Sequence, residues 1–329
     1  MLSTTSTTTL DRACAAATDR PIVSVIIPAY KVAPFIKEAL DSVLSQTFND
    51  YEVIVINDGS PDTDELEKQV EAYSPWITYI KQPNAGAGAA RNAGIRVARG
   101  EFVAFLDGDD LWLPEFLEQQ LGLIRSEGGF DLVYADAFNL AGSRLTRKSN
   151  MEFNPSSGAV TARSLISAQC NVITSSVVAR RASILAAGLF DETFPNSQDF
   201  DLWLRLAKQG ARMNYQKKVL VHRRIYEGSL ASDPVKSLRG EISVLEKTAE
   251  RDDLTAEERA AILHSLERCR ATVEVFKGKQ LLTAGDFAAS LTSFRVANRH
   301  FQSWKLRLVL LSLHIAPRLL RRIYKLRTT

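Results

Sequence analysis

The amino-acid sequence predicts an α/β fold, built as a mostly parallel, doubly wound sheet and followed by a C-terminal α-helical extension. Short apolar, β-branched runs such as Ile22–Ile27 alternate with amphipathic helical patterns, as expected for buried parallel strands joined by helices. Beyond Pro234 the helical pattern continues to the end of the chain. The 329 residues, of which 45% are hydrophobic, suffice for one large domain and an appendage.

Four strand–helix units make up the first part of the chain. The strands are predicted over residues 22–27, 51–56, 77–80 and 102–106. Pro34 and Pro114 are expected to begin helices, because proline is tolerated in the first turn, and Asp62 is a suitable N-cap. A further helix is predicted over residues 87–98. Repeated units of this length favour a sheet that is covered by helices on both faces.

The pattern loosens after Asp131. Strands are predicted over residues 131–140, 172–178 and 215–221, a helix over 200–206, and an irregular segment over 144–158. The predicted domains are a disordered polar tail (residues 1–20), the α/β domain (21–234) and a helical region (235–329). Breaks in the helical region are predicted near residues 252, 285 and 317.

Composition and cysteine spacing narrow the possible functions. The net charge of +3 gives no general affinity for polyanions, so no nucleic-acid partner is expected. Cys14, Cys170 and Cys269 are widely spaced, so neither a disulfide framework nor a zinc site is predicted, and a reducing cytoplasm fits. Residues 1–9 lack the features of a signal peptide, and no apolar run is long enough to span a bilayer.

The end of the chain carries basic charge only. No acidic residue follows Asp286, whereas the basic residues are Arg295, Arg299, Lys305, Arg307, Arg318, Arg321, Arg322, Lys325 and Arg327. Apolar spacing combined with this charge is typical of a helix on an anionic membrane, which predicts peripheral contact with the cytoplasmic face. The alternative is a helix that packs on the α/β domain and leaves its arginines in solvent.

Polar clusters follow the first four predicted strands. They are Pro28-Ala29-Tyr30, Asn57-Asp58-Gly59-Ser60, the segment from Asn84 to Gly94, and Asp107-Gly108-Asp109-Asp110. In an open parallel sheet, ligands bind beyond the carboxyl ends of the strands. The four clusters are therefore expected to meet at one edge of the sheet and to form a binding site there.

Two of these clusters also have simpler explanations. Asp58-Gly59-Ser60-Pro61 alone is equally typical of a turn followed by a helix cap. Gly86 and Gly88 follow a strand and open a helix, which resembles a dinucleotide-binding fingerprint. Arg91 stands where that fingerprint has its third glycine or alanine, and the unit is the third rather than the first, which argues against a dinucleotide site.

The carboxylates of Asp107, Asp109 and Asp110 fall within four residues, directly after a buried strand. Neighbouring like charges repel and raise one another's pKa, and a bound cation offsets that cost. Hard oxygen ligands in an open site suit Mg²⁺ or Mn²⁺ bound together with a diphosphate. The sequence therefore predicts a divalent cation as cofactor.

In this order, the clusters resemble the motifs of family 2 glycosyltransferases of the GT-A fold. The matching segments are Val23 to Tyr30, Val53 to Ser60, Asn84 to Gly94 and Phe105 to Asp110, and later Gln198-Asp199-Phe200-Asp201-Leu202-Trp203, which is similar to the family's Glu-Asp-x-x-Leu-Trp motif. The resemblance covers residues 21–232. It implies an inverting transferase that moves a sugar from a nucleotide diphosphate donor to an acceptor hydroxyl.

The resemblance also implies a role for each site residue. Pro28, Ala29 and Tyr30 would line the nucleotide pocket, Asp58 would accept a hydrogen bond from the base, and Arg91 would contact the base or diphosphate. Asp107 would bind the donor through its ribose or hold the water shell of the metal, and Asp109 would be the direct metal ligand. Asp199 would be the general base, with Asp201 as its support or as a surface carboxylate, and Asp110 is expected only to cap a following helix.

The implied partners are a nucleotide-sugar donor, with a UDP-sugar expected first, and a saccharide or lipid-linked acceptor. Such a reaction would belong to the assembly of a cell-surface polysaccharide or glycolipid.

Two positions depart from the family pattern. Gln198 replaces the first carboxylate of the Glu-Asp pair, which puts the acceptor contacts in doubt. Tyr226 stands at the histidine of the family's Arg-x-His-x-x-Ser segment, where it can hydrogen-bond but cannot replace an imidazole ligand. Nearby His222 is expected to be a core or surface residue.

Two other classes of protein remain open. A nucleotidyltransferase also uses a metal and nucleotide phosphates, but it would be expected to carry a glycine-rich basic loop after the first strand. The segment Pro28-Ala29-Tyr30-Lys31-Val32 has no glycine. A non-catalytic scaffold would retain the fold without the chemistry, and the presence of Asp107, Asp109 and Asp199 argues against it.

Overall fold

The computed structural model describes residues 20–328, so nearly all of the tail predicted over residues 1–20 lies outside the described residues. The strands are β1 Val23–Ala29, β2 Tyr51–Asp58, β3 Ile77–Gln82, β4 Phe102–Phe105, β5 Leu111–Trp112, β6 Leu132–Ala141, β7 Arg144–Leu145, β8 Val178–Arg180 and β9 Met213–Ile225. The α-helices are α1 Ile36–Leu44, α2 Thr63–Glu71, α3 Ala87–Val97, α4 Phe116–Ile124, α5 Asn150–Phe153, α6 Ala162–Ile166, α7 Arg181–Ala186, α8 Gln198–Lys208, α9 Pro234–Ala249, α10 Ala256–Ala284, α11 Phe287–Phe301, α12 Trp304–Ile315 and α13 Pro317–Thr328.

The strands form one nine-stranded sheet in the order β3-β2-β1-β4-β8-β6-β9-β5, with β7 paired to β6. The half made by β3, β2, β1 and β4 is parallel throughout. Beyond β4 the sheet is mixed, because β8 runs antiparallel to both β4 and β6 while β6 and β9 are parallel. The predicted α/β class is confirmed, and the parallel part is the half that the sequence pattern marked most clearly.

The central strands are apolar because both of their faces are covered. All residues of β4 are buried, and β1 is buried except for the half-buried Pro28. One large core cluster contains β1, β2 and β4 side chains together with α1 residues such as Ile36 and Leu40. Burial on both faces removes the alternation that a half-exposed strand shows, which explains the continuous runs seen in the sequence.

Four predicted elements differ from the structure. The strand predicted over residues 172–178 is a single 3₁₀ turn, Thr174–Ser176, followed by the short strand β8. The segment 144–158, predicted to be irregular, contains β7 and α5, whose first turn is capped by Ser149 and Glu152. Helices α1 and α4 begin two residues after the prolines expected to start them, because those prolines lie in the preceding turn.

The chain divides into two compact units, one ending at Ser232 and the other running from Asp233 to Thr329. The second unit is helical, and its helix starts follow known capping chemistry. Asp233 caps α9 and precedes Pro234, while Thr255 and Glu258 form a reciprocal capping box at α10. A break that was not predicted separates α11 from α12 at Gln302, whose backbone is left-handed.

Among residues 20–328, no helix combines the length and apolarity that crossing a bilayer requires.

Helix α3 contacts the sheet through Gly94. A Cβ atom at this position would lie 2.7 Å from Cγ2 of Ile26 and 2.9 Å from Cδ1 of Ile56, both of which are fully buried. We expect Gly94→Ala to lower the free energy of unfolding by roughly 1–3 kcal/mol, because the core must shift to accept the methyl group. Chemical denaturation monitored by circular dichroism measures this change.

Gly122 in α4 is the matched control, since nothing lies within 4 Å of a Cβ there. Gly122→Ala should raise stability by about 0.5–1 kcal/mol through helix propensity alone. Equal effects from the two substitutions would contradict close packing of α3 on the sheet.

Candidate active site

The site is built where the parallel strands end. Because β1 pairs in register with β2 and β4, Ala29 lies opposite Asn57, and Ile26 opposite Phe105. The loops that leave these strands are therefore neighbours, which is the arrangement predicted from the polar clusters. Asp58 ends β2, and Asp107 follows β4 by two residues.

Asp58 is buried and holds the loop between β3 and α3. Its Oδ1 accepts hydrogen bonds from Nε2 of Gln82 (2.7 Å) and the amide of Ala85 (2.9 Å). Its Oδ2 accepts from the amide of Gly86 (2.8 Å) and from Nδ2 of Asn84 (3.3 Å). A carboxylate offers about four acceptor sites, so the protein itself uses them. This geometry favours a role in shaping the loop ahead of Arg91.

The loop after β1 is tied to the loop after β2. The backbone of Lys31 is left-handed, and its amide donates to Oγ of Ser60 (2.6 Å). The Ser60 hydroxyl donates in turn to Asp62, whose other oxygen accepts from the amide of Ala33 (3.1 Å). These bonds leave the side chain of Tyr30 exposed at the edge of the sheet.

The three residues predicted to line the nucleotide pocket therefore differ in accessibility. Ala29 is fully buried in the core, Pro28 is half-buried and Tyr30 is exposed. Of the three side chains, only that of Tyr30 is well placed to contact a ligand.

Gly108 allows the acidic turn to lie against β1 and α1. A Cβ on Gly108 would fall 2.9 Å from Cγ2 of Val32 and 3.1 Å from the carbonyl oxygen of Pro28. Glycine thus brings the two flanking carboxylates, Asp107 and Asp109, close to the first loop of the site.

Arg91 and Asp107 form an ion pair across the site. Nη2 of Arg91 lies 2.5 Å from Oδ1 of Asp107, and the arginine is buried while the aspartate side chain is 37% exposed. The guanidinium also lies over the ring of Phe190, 5.6 Å from its centroid. Within the described residues its Nε has no partner, so this buried donor is available to a ligand oxygen.

Asp109 lies in a setting that disfavours its charged form. Burial, followed by repulsion from Asp107, raises the pKa of Asp109 to about 6. The hydroxyl of Tyr226 hydrogen-bonds to this carboxylate, so the tyrosine that replaces the family's histidine faces the metal position predicted at Asp109.

Asp110 has a different role from the helix cap expected for it. It precedes strand β5, and α4 begins only at Phe116. Its Oδ2 accepts from Oγ of Ser175 (2.6 Å), and its Oδ1 accepts from the amide of Arg224 (2.8 Å). Complete burial raises the pKa of Asp110 well above its usual range. The expectation failed because the partners are distant in sequence.

Arg224 is a site residue to which the sequence assigned no role. Its Nε donates to the carbonyl of Asp109 (2.9 Å), and its Nη2 binds Oε2 of Glu38 (2.9 Å). The guanidinium lies 4.8 Å from the ring centroid of Phe35, which also contacts Tyr226. The available signal was its position as the first residue of the segment that contains Tyr226.

Asp199 is connected to the acidic cluster by two consecutive hydroxyl residues. Oγ1 of Thr174 donates to Oδ2 of Asp199 (2.5 Å), while the neighbouring Ser175 donates to Asp110. Oγ of Ser175 also accepts from the amide of Asp107 (3.2 Å). The turn therefore links the predicted base to the acidic cluster through hydrogen bonds from two adjacent residues.

The turn that carries these hydroxyls is itself fixed from two sides. Nε1 of Trp112 donates to the carbonyl of Ser175 (2.7 Å), and Nε2 of Gln120 donates to that of Ser176 (2.6 Å). Sequence reasoning missed Thr174 and Ser175, because the segment was predicted to be a strand.

Asp201 and Gln198 complete the first turn of α8. Asp201 is buried and pairs with Arg205, which also donates to the carbonyl of Leu189 (2.6 Å), so its role is structural. Gln198 is buried as well, and its Cγ would lie 3.2 Å from a Cβ at Gly88. Gly88 thus makes room for α8, and Gly86 has a positive φ of 90°, so each glycine has a structural reason that involves no dinucleotide.

The donor set fits a divalent cation that is shared with a substrate. Within the described part of the chain, no three His, Cys, Asp or Glu side chains are grouped so as to hold a metal by themselves. Mg²⁺ and Mn²⁺ suit hard oxygen ligands, and Mg²⁺ is usually held by one or two carboxylates together with substrate phosphates and water. Asp109 and the partly exposed Asp107 supply such oxygens.

His222 lies in β9 opposite Leu111, and burial lowers its pKa.

Ser175 gives the first test of this architecture. We expect Ser175→Ala to lower the free energy of unfolding by about 1–3 kcal/mol, because the buried carboxyl of Asp110 loses a hydrogen-bond donor. Urea denaturation measures the loss. Ser176→Ala is the control, since that hydroxyl donates only to the carbonyl of Ile173 within the same turn. Equal losses for the two variants would show that the bond to Asp110 carries no special weight.

Comparison with known proteins identifies sequences and structures similar to this chain. Residues 24–185 match the family model described as Glycosyl transferase family 2. An uncharacterized glycosyltransferase of Rickettsia bellii is 33% identical over 219 residues, which is 63% of this chain and 30% of that protein. Chondroitin synthase of Escherichia coli is 30% identical over 214 residues, 64% of this chain and 30% of the synthase. The chain thus spans less than a third of the length of these two relatives.

Two solved structures share the fold. TarS 1-349 of S. aureus in complex with UDP superposes with a TM-score of 0.59 at 20% identity, covering 89% of this chain and 86% of that one. The mannosyltransferase PcManGT of Pyrobaculum calidifontis, in complex with GDP-Man and Mn²⁺, gives 0.62 at 17% identity, covering 96% and 89%. At such low identity these likenesses establish the GT-A fold alone.

Proposed function

The chain belongs to glycosyltransferase family 2 through residues 24–185, and from its site we propose that it transfers a sugar from a nucleotide diphosphate to an acceptor hydroxyl with inversion. The observation that carries the proposal is the turn Thr174–Ser176. Its consecutive hydroxyls bind Asp199 on one side and Asp110 of the acidic cluster on the other. A single displacement requires a proton acceptor and a centre that stabilises the departing negative charge, and this turn contacts a candidate for the first and the cluster that would provide the second.

The donor half of the site consists of Arg91, Asp107 and Asp109, with Tyr30 and Asp58 around it. Arg91 forms a 2.5 Å ion pair with Asp107 and keeps a buried N–H without a partner among the described residues. We assign this donor to a diphosphate oxygen, where it would stabilise the charge that develops as the sugar departs. Asp58 would act indirectly, by holding the loop that leads into α3.

Asp109, assisted by Asp107, would hold a divalent cation, Mg²⁺ or Mn²⁺. Such a cation would act as a Lewis acid toward the diphosphate leaving group. Tyr226 would orient the carboxylate of Asp109 through its hydroxyl, which it can do without being a ligand itself. The complex of PcManGT with GDP-Man and Mn²⁺ supports this assignment by analogy.

Asp199 would be the general base. It would take the proton from the acceptor hydroxyl as that oxygen attacks the anomeric carbon, and the bond from that carbon to the diphosphate oxygen would break. One attack opposite one leaving group inverts the configuration, and no nucleophile from the protein is needed. Thr174 would position the carboxylate, because its hydroxyl donates to Oδ2, while Oδ1 accepts from the amide of Phe200 (2.9 Å) and keeps a second lone pair for the acceptor hydroxyl.

For the donor we propose a UDP-sugar, and for the acceptor a saccharide or a lipid-linked saccharide in the assembly of a surface polysaccharide or glycolipid. The complex of TarS with UDP and the similarity to chondroitin synthase support these choices. A lipid-linked acceptor would place the reaction peripherally at the cytoplasmic face of a membrane. A panel of UDP- and GDP-sugars, scored for thermal stabilisation and hydrolysis with Mn²⁺, tests the donor. Stabilisation by none of them would refute the proposal.

Asp199→Asn tests the base. We expect kcat for transfer to fall roughly 10²- to 10⁴-fold, since an amide cannot take the proton, while the affinity for the nucleotide stays unchanged. Transfer assays and isothermal titration calorimetry measure the two quantities separately.

Asp201→Asn, two residues further along the same helix, is the control for Asp199→Asn. It breaks the pair with Arg205 and should lower the thermal midpoint, yet leave kcat of the folded protein nearly unchanged. Full transfer activity in Asp199→Asn would contradict the role of base. Nucleotide binding without transfer in the unmodified chain would instead indicate a scaffold.

Asp109→Asn tests the metal position. We expect the affinity for UDP in the presence of Mn²⁺ to fall to the level that the unmodified chain shows after chelation with EDTA, because the cation loses its direct carboxylate ligand. Titration calorimetry with and without Mn²⁺ measures both values. If Mn²⁺ strengthens UDP binding equally in the variant and in the unmodified chain, the cation is held elsewhere.

A further inference from the structure

The last two helices of the helical unit each expose a row of large apolar side chains. Seven of the sixteen exposed large hydrophobic residues among those described fall within α12 and α13. We call these two rows the outward stripe; it consists of Trp304, Leu308, Leu311, Ile315, Leu319, Ile323 and Leu326. Single exposed apolar residues are ordinary on protein surfaces, whereas a contiguous row marks an interaction site.

The outward stripe is separate from the face by which the same helices pack. Leu306, Val309, Leu310 and Leu313 of α12, with Leu320 and Tyr324 of α13, contact a core cluster that includes Leu282 and Phe294. At about 100° per residue, the four stripe positions of α12 fall within an arc of about 60°, opposite these packed positions. The fold of the unit therefore already uses one apolar face and leaves the second one exposed.

Basic side chains lie beside the outward stripe. Lys305 and Arg307 are exposed on its two sides in α12, and Arg318 and Arg322 are exposed on one side of it in α13. The sequence contains no acidic residue beyond Asp286. Arg321 instead turns inward and donates to the carbonyl of Thr283 (3.0 Å), which fixes the rotation of α13.

We propose that the outward stripe binds the surface of a lipid bilayer that contains anionic lipids. Apolar side chains at the centre would enter the boundary between headgroups and acyl chains, while lysine and arginine at the margin would contact lipid phosphates. Trp304 suits the headgroup level, because its ring is amphipathic. This proposal names the protein surface that would contact the membrane at the peripheral location proposed above. Its test does not depend on glycosyl transfer.

Charge complementarity favours an anionic bilayer over a second copy of this chain. A second copy of this helical pair would place like charges together, because α12 and α13 have basic residues beside the stripe and contain no acidic residue. Lysine and arginine beside an apolar helix face are suited to an anionic interface, where their apolar stems lie against the lipid and their charges reach the phosphates.

Full-length chain and vesicles test the proposal directly. We expect the chain to co-sediment with vesicles of phosphatidylcholine and phosphatidylglycerol, and to bind vesicles of phosphatidylcholine alone much more weakly. The variant Leu308→Ser/Leu311→Ser/Ile315→Ser should bind the anionic vesicles at least about 100-fold more weakly. The variant Lys305→Gln/Arg307→Gln/Arg322→Gln should lose roughly fivefold in affinity per charge, with a smaller dependence on salt.

The control replaces apolar residues of similar exposure elsewhere. Val97, Leu145 and Leu263 are 49%, 44% and 63% exposed, compared with 52%, 55% and 74% for Leu308, Leu311 and Ile315. Val97→Ser/Leu145→Ser/Leu263→Ser should bind vesicles like the unmodified chain. Circular dichroism and thermal unfolding of all variants confirm that these surface changes leave the fold intact.

Two results would overturn the proposal. The first is a sedimentation result that shows no binding through the stripe. Either the unmodified chain stays in the supernatant with anionic vesicles, or the stripe variant binds them as tightly as the unmodified chain. The other is a chain that elutes as an oligomer, while the stripe variant elutes as a monomer and neither binds vesicles. That second result would assign the stripe to self-association. Either outcome leaves the donor-binding and transfer assays, and thus the proposed function, to be judged separately.

Discussion

Asp110 is a carboxyl group buried completely beneath the candidate site, and the site depends on how it is held. Ser175 and the backbone of Arg224 provide its hydrogen bonds, and so join the end of β4 to the turn Thr174–Ser176 and to β9. A buried carboxyl without partners would destabilise the fold, so these contacts must form together. Once formed, they fix the adjacent Asp107 and Asp109 on one side and Thr174 on the other.

The polar parts of the site are therefore preorganised by the protein rather than by a ligand. Arg91 is fixed by Asp107, Asp58 uses its oxygens on the loop before α3, and Asp199 is held by Thr174. What remains for a substrate is limited: the unpartnered N–H of Arg91, the carboxylate of Asp109 and the remaining lone pairs of Asp199, whose two oxygens each accept one hydrogen bond from the protein. A site of this kind binds charge that develops during a reaction at little cost of reorganisation.

The last two helices of the helical unit have two apolar faces with different surroundings. In α12 and α13, one apolar face packs on α10 and α11, and a second apolar face is exposed. Sequence spacing could show that the tail is apolar and basic, and it left membrane contact and packing as alternatives. The packing seen in the structure is on α10 and α11 of the helical unit, whereas the alternative considered from the sequence was packing on the α/β domain. Membrane contact through the outward stripe stays a proposal.

The sequence by itself determined the α/β class, the positions of β1, β2 and β4, and the convergence of Asp58, Arg91 and Asp107 at one edge. These follow from local periodicity and from the rule that parallel strands end on the same side. Only the tertiary structure decided that Asp110 is buried, that Arg224 supports the acidic turn, and that Thr174 and Ser175 join Asp199 to it. Those contacts connect residues 25 to 114 positions apart, and no local pattern specifies which distant partners will meet.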